Sequence, residues 1–158
     1  MKDEIGKEVL KIGYNELITS LDFFFRDNPL KVIDCNDKCD FAAPMNILGQ
    51  FNPEFVYAKA TQNTERFYHE IQKGVGESKF HDQIVFNKAY KKMKKSAGLH
   101  GMALPMDVFC VGNTETEKVK DCHVYHPGFK NTVEGTISKL KRLDMWLYGQ
   151  SEGNLFKC

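Results

Sequence analysis

Apolar positions along this chain follow two rhythms, one helical, at intervals of three and four, and one of short, nearly continuous runs. In residues 3–12, Ile5, Val9 and Ile12 share one helical face, and Gly13 is a natural stop. Residues 16–25 read as one strand, and the closing Phe23-Phe24-Phe25 suits burial on both faces. Arg26-Asp27-Asn28-Pro29 has the chemistry of a turn. Residues 40–45 and 51–60 read as two further strands. Thr61 is a good N-cap for a helix that sets Phe67, Ile71 and Val75 on a common face. A second helix covers residues 82–95 and carries Phe86, Ala89, Tyr90 and Met93. Short apolar segments follow at 102–104 and 108–110, then a polar loop over 112–120 and a strand at 123–126. The last helix runs over residues 131–148, with Val133, Ile137, Leu140, Leu143 or Asp144, and Leu147 in register. Strands alternating with helices predict an α/β fold with a mixed sheet flanked by helices.

No repeat, low-complexity block or linker interrupts the 158 residues, so residues 1–158 are expected to form a single domain. A 42% hydrophobic and 27% charged composition is that of a globular protein. A formal net charge of +1 provides no global field to draw in nucleic acid or an anionic membrane. The local run Lys91-Lys92-Met93-Lys94-Lys95 reads as the solvated end of a helix, where cations complement the macrodipole. Its alternative is a polyanion-binding module, which would show steep salt dependence. No stretch of about 18 apolar residues is available to span a membrane, and residues 1–11 lack the apolar core of a signal peptide. The five cysteines show no metal-ligand spacing. Free buried thiols are the simplest expectation, and one disulfide in an oxidising lumen is the alternative.

Ser20-Leu21-Asp22 stands just before the phenylalanines. Residues two apart on a strand point the same way, so an acid at each end of such a triplet would aim two carboxylates at one cation. Here only Asp22 brings charge, while Ser20 offers a hydroxyl able to bond a ribose hydroxyl or a metal-bound water. Asp22 has a plainer reading as a strand-end carboxylate that pairs with Arg26 or caps the turn. His126 follows a short apolar strand, where α/β folds place their sites. His123 stands three residues earlier and faces the other side, so a zinc site built from His69, His81, His123 and His126 has little support.

Several segments, taken in order, resemble the nucleotide-diphospho-sugar transferase family. Leu10-Lys11-Ile12-Gly13-Tyr14-Asn15 is similar to the helix end before that family's Asp-x-Asp strand, and Ser20-Leu21-Asp22-Phe23-Phe24-Phe25 falls on the strand itself. Phe51-Asn52-Pro53-Glu54-Phe55 resembles its Asn-Thr-Gly-Phe strand, with Thr61 and Thr64 as the Thr-x-x-Thr helix start. Asp82-Gln83-Ile84-Val85-Phe86-Asn87 resembles an Asp-Gln-x-x-Phe-Asn segment, and Leu104-Pro105 through Phe109 to Gly112 a Leu-Pro-x-x-x-Phe-x-x-Gly stretch. His126, Gly135, Lys139, Leu143 and Trp146 resemble the family's closing pattern.

The resemblance implies a partial GT-A-type fold, the C-terminal half of a catalytic domain. The strands that bind base and ribose in the full fold have no counterpart here. It further implies a glycosyltransferase, or a fragment of one, that moves a sugar from a UDP-sugar to a carbohydrate or glycoprotein hydroxyl with Mn2+ or Mg2+. Carried over by position, Asp22 and His126 would hold the metal. Ser20, Asp22, Asn52 and Lys139 would contact the donor, and Asp82 and Gln83 would line the reacting side. Each of several residues keeps a plainer alternative: Asp82 as an N-cap, Lys139 as an exposed helical lysine, Asn52 as a turn former before Pro53. Family members work in the Golgi lumen behind an N-terminal anchor, so location here rests on the resemblance.

Three departures from the family pattern bear on activity. Ser20 replaces the first acid. Pro53-Glu54 replaces a small Thr-Gly pair; glycine there would let a sugar approach the backbone, whereas Glu54 would project a carboxylate into the cleft. Pro127-Gly128 replaces Ala-Asn. With the absent nucleotide-binding half, these leave open a catalytically inactive relative that binds carbohydrate or a partner protein.

Overall fold

The computed structural model describes residues 2–35, 37, 39–77, 82–112, 118–128 and 132–146. Its elements are α1 (Lys2–Lys11), β1 (Glu16–Thr19), β2 (Phe24–Phe25), β3 (Phe41–Pro44), β4 (Phe55–Ala58), α2 (Gln62–Glu77), α3 (Asp82–Ala97), β5 (Gly101–Leu104), β6 (Phe109–Val111), β7 (Val124–His126) and α4 (Val133–Arg142). Short 3-10 turns occupy Pro29–Lys31 and Lys118–Asp121. Among the described residues no helix is long and apolar enough to cross a membrane.

The strands form two mixed sheets, one ordered β1-β4-β3-β5 and the other β2-β7-β6. In the first, β3 and β5 are parallel and the other neighbours antiparallel. In the second, β6 and β7 are parallel, and β2 runs antiparallel to β7. Side chains alternate across each strand and divide the core into three layers. Phe41 and Ala43 of β3 face α2 and α3, where Phe67, Phe86 and Met93 pack, while Ala42 faces the second sheet with Phe55, Phe109 and Val124. Cys110 and Tyr125 point the other way, toward Leu140 of α4. Phe41 anchors the first layer, its ring stacked 5.2 Å from Phe67 and edge-on to Phe51, Phe86 and Tyr90.

The mixed α/β architecture agrees with the sequence pattern, and four local expectations do not. The run over residues 16–25 is not one strand. It breaks after Thr19, and residues 20–23 cross from the first sheet to the second. Phe25 is consequently 41% exposed instead of buried on both faces. In α1 the expected apolar face points outward, with Ile5 and Ile12 exposed, and the packed side is Gly6 and Leu10. Gly6 lies where an added Cβ would be 2.7 Å from the Glu16 carboxylate, so close packing and not bulk selects that face. The last helix ends at Arg142 with Val133 exposed; Leu143 closes it, and Leu147 lies outside the described residues. Finally, two disulfides, Cys35–Cys39 and Cys110–Cys122, replace the expected free thiols; Cys158 lies outside the described residues.

Candidate functional site

The crossover at residues 20–23 delivers Asp22 to the end of β7. Its Oδ2 lies 3.1 Å from Nε2 of His126, across 104 residues of sequence. By strand alternation His126 faces the same side as Val124, toward the gap between the sheets, and it is only 6% exposed. Phe23 stacks on the imidazole with ring centroids 4.5 Å apart and planes 11° from parallel, which fixes the ring's tilt. A third group meets the same nitrogen: Oε2 of Glu54 is 3.2 Å from His126 Nε2. Asp22 therefore does not make the Arg26 pair that a strand-end reading expects, because the broken strand turns it toward β7.

Glu54 is held by its backbone at both ends. Asn52 Oδ1 accepts the Glu54 N–H at 3.0 Å, and the Glu54 carbonyl accepts the N–H of Ser20 at 2.8 Å. Asn52 thus shapes a turn, as one reading of its sequence predicts, and it also lines the adjoining cleft. That cleft, of about 390 Å3, is bounded by Asn52, Gln83, Met106, Gly112 and His126 among others. Gln83 reaches it from the first turn of α3. Asp82 precedes it, exposed, with Oδ1 accepting the Gln83 N–H at 2.9 Å in the manner of a helix-start acid. A second, more apolar groove of about 620 Å3 runs along Asp22, Phe23 and Phe24 against α4.

Lys139 sits behind the cleft wall. Its Nζ donates to the carbonyls of Gly112, at 2.6 Å, and Pro127, at 2.8 Å, and lies 5.7 Å from the Tyr125 ring. Burial raises the Tyr125 phenol above the usual tyrosine range, with Arg142 pulling weakly the other way. Lys139 therefore ties the ends of β6 and β7 together beside His126.

Asn87, a side chain that sequence reading matched by pattern without giving it a role, supports the site from below. It is buried; its Oδ1 accepts the Phe51 N–H at 2.9 Å, and its Nδ2 donates to the carbonyls of Phe51 and Gln83. His123 lies beside Asp27, His69 is exposed on α2, and His81 falls outside the described residues. Lys92 of the basic run pairs with Glu70 on α2, and Lys94 and Lys95 occupy the last turn of α3. Among the described residues no three His, Cys, Asp or Glu side chains form a group that could hold a metal ion. Asp22 and Glu54 both contact His126 Nε2 at hydrogen-bond distance.

The chain matches no curated protein sequence. The model of one family, described as nucleotide-diphospho-sugar transferase, matches residues 1–143, which include every candidate site residue described above. With nearly the whole length matched and a mixed α/β fold to go with it, this chain belongs to the nucleotide-diphospho-sugar transferase family, proteins of a glycosyltransferase-like kind.

Proposed function

We propose that this chain takes part in glycosyl transfer from a UDP-sugar to a carbohydrate or glycoprotein hydroxyl, in a GT-A-type arrangement. One observation carries the reading: the 3.1 Å contact between Asp22 and His126 at the edge of a cleft lined by Asn52 and Gln83. A carboxylate beside an imidazole is a donor set suited to Mn2+, and to Mg2+ less well, so Asp22 and His126 are the residues that would hold a divalent ion. When bound, such an ion neutralises the charge of a departing diphosphate.

The protein's own groups have distinct parts in this reading. Phe23 and the two acids hold the imidazole in place. Asn52 and Gln83 offer hydrogen bonds to sugar hydroxyls, and Asp82 orients Gln83 through its backbone N–H. The Ser20 hydroxyl offers a neutral bond to the donor ribose. Lys139 places a positive charge behind the cleft wall, at the carbonyls of Gly112 and Pro127. Two disulfides suit an oxidising compartment, which supports a Golgi-lumen location.

The test is calorimetric titration of UDP and UDP-sugars into the folded chain, with and without Mn2+. Mn2+-dependent binding that Asp22→Ala or His126→Ala weakens supports the reading, and no binding in either condition ends it. A second reading, an inactive relative that binds carbohydrate or a partner protein, is favoured by the uncharged Ser20. It predicts glycan binding that is indifferent to UDP and Mn2+.

A further inference from the structure

The groove along α4 differs in kind from the cleft beside it. Val133, Ile137 and Leu140 recur at helical spacing and line it from α4, opposite Phe23 and Phe24. Leu140 and Met145 are buried at its floor, whereas Val133 and Leu21, at its rims, are 70% and 105% exposed. Apolar side chains held in solvent bring the folded chain no packing, and a ligand that covers them gains from it. Among the described residues that line the groove Asp22 is the sole charged one, and it lies 3.1 Å from His126, which lines the cleft. Groove and cleft therefore meet at that pair. We propose that the groove holds the apolar aglycone of the acceptor, a glycoside whose sugar hydroxyls lie at the cleft on the far side of Asp22. The inference rests on the glycosyl-transfer reading given above.

Three features select this occupant. The volume of about 620 Å3 falls within the roughly 300–1,000 Å3 of small-molecule sites, and buried residues floor it, so it suits a compact body better than a flat protein face. The lining offers a glycan little. Apart from the Asp22 carboxylate and the Trp146 indole N–H, its polar side chains are the hydroxyls of Thr132 and Thr136, and the Thr132 oxygen already accepts the Gly135 N–H at 3.1 Å. Sugar hydroxyls buried here would give up water for few partners, whereas an alkyl or ring aglycone would give up only unfavourable apolar hydration. The cleft has the opposite lining, with the Asn52 and Gln83 amides available to hydroxyls. An amphiphile with a sugar head and an apolar body is complementary to both at once.

Trp146, the chain's single tryptophan, lines the groove and reports on it directly. The deciding experiment follows its fluorescence while methyl, butyl, hexyl and octyl β-D-glucosides, each below its micelle-forming concentration, are titrated into the full chain without nucleotide. Methyl glucoside should leave the emission unchanged. The longer glucosides should give a saturable blue shift, with affinity rising by up to about fourfold per added CH2 and by at least about tenfold from butyl to octyl. Val133→Asp should abolish most of that gain; Val133 is exposed in the first turn of α4, where an acid suits the helix, so the variant keeps its fold. Ile12→Asp, the same change at an exposed residue outside the groove, should leave the gain intact. Affinity that ignores alkyl length, or that is equal in Val133→Asp, overturns this inference alone, because UDP titration tests the glycosyl-transfer reading separately. An emission already blue-shifted without glucoside and unmoved by it also overturns the inference: dependence on protein concentration then assigns the groove to a second copy, and independence assigns it to this chain's own residues. Alkyl-length-dependent binding in a chain that binds no UDP overturns the acceptor assignment together with the reading it rests on.

Discussion

Replacing Asn87 with alanine should destabilise the protein more than any other single change at a polar residue of α3. The reason lies in the Met45–Phe51 bridge. Its flanking bonds run from Asn52 N to the Pro44 carbonyl and from Asn46 N to the Gln50 carbonyl, so Phe51 is in the non-hydrogen-bonded position of the pair. Its own N–H and carbonyl point away from Met45, and Asn87 satisfies both. Phe51 is 1% exposed, so water does not replace the lost partner. Each orphaned backbone group costs about 1–3 kcal/mol, giving about 3 kcal/mol as a working figure for the pair. For a chain of this size that corresponds to a fall of about 6–12 °C in Tm. The Gln83 carbonyl, the third partner, also sits in the helix ladder and adds little. The assay is thermal and guanidinium unfolding followed by circular dichroism, with the exposed Lys91→Ala as a control. Asn87→Asp provides a second arm: it keeps an acceptor for the Phe51 N–H but sets an oxygen against two carbonyls, so it should be no less damaging. If Asn87→Ala unfolds within about 1 kcal/mol of wild type, the clamp is not a net stabilising contact and the reasoning fails.

Three further outcomes follow from particular contacts. Gly112→Ala would drive a methyl group into the Pro127 carbonyl and within 3.0 Å of Lys139 Nζ, so it should cost about 1–3 kcal/mol in guanidinium unfolding. Glu70 is held below the ordinary glutamate value of 4.5 by its hydrogen bond from Lys92, with Lys73 adding to the effect. Between its folded value and 4.5 the unfolded chain binds more protons, so this stabilisation is complete above that window and is lost as pH falls through it. Lys92→Met should therefore flatten the acid limb of the stability curve, measured by unfolding from pH 3 to pH 7; an unchanged acid limb would contradict the pairing. Reducing the Cys110–Cys122 bond, which closes a sequence separation of 12, should remove about 3 kcal/mol, and the Cys35–Cys39 bond, with a separation of 4, should contribute less. Peptide mapping under non-reducing conditions checks both connectivities.

Helices α2 and α3 were legible because their buried residues, Phe67 and Ile71 in one and Phe86, Ala89 and Met93 in the other, recur at helical spacing. Thr61 caps α2 as its sequence suggests, its Oγ1 accepting the Thr64 N–H at 3.1 Å. What sequence could not show was which sheet a strand joins. Residues 16–25 carry apolar side chains at Leu17, Ile18, Leu21 and the three phenylalanines, and that pattern is the same for one long strand as for two short strands in different sheets. The packed face of α1 escaped for a related reason: Gly6 has no apolar side chain to register in a periodic pattern, yet its smallness lets the helix approach Glu16 and Ile18. Cysteine pairing depends on tertiary approach, here between Cys110 of β6 and Cys122, two residues before β7, and no local pattern encodes it.

The break in that strand is also what makes the site. A continuous strand would have kept Asp22 in the ladder of the first sheet, with Ser20 on the same face and His126 out of reach. By leaving the first sheet at Ser20 and joining the second at Phe24, the chain turns the Asp22 carboxylate and the Phe23 ring toward the end of β7. The same departure frees the ladder position opposite Glu54, whose carbonyl still holds the Ser20 N–H while its side chain is released toward the gap. Three links of the site, Asp22, Glu54 and the ring that stacks on His126, thus depend on one four-residue crossover. Asn87 stands at the other end of that path, since it fixes Phe51, whose neighbour Asn52 in turn holds Glu54. Loss of the Asn87 clamp should therefore be felt at His126 as well as in stability. Asn87→Ala held well below its melting temperature should show shifted His126 ring resonances by NMR, and unchanged resonances would show that the crossover holds Glu54 without help from the Phe51–Asn52 segment.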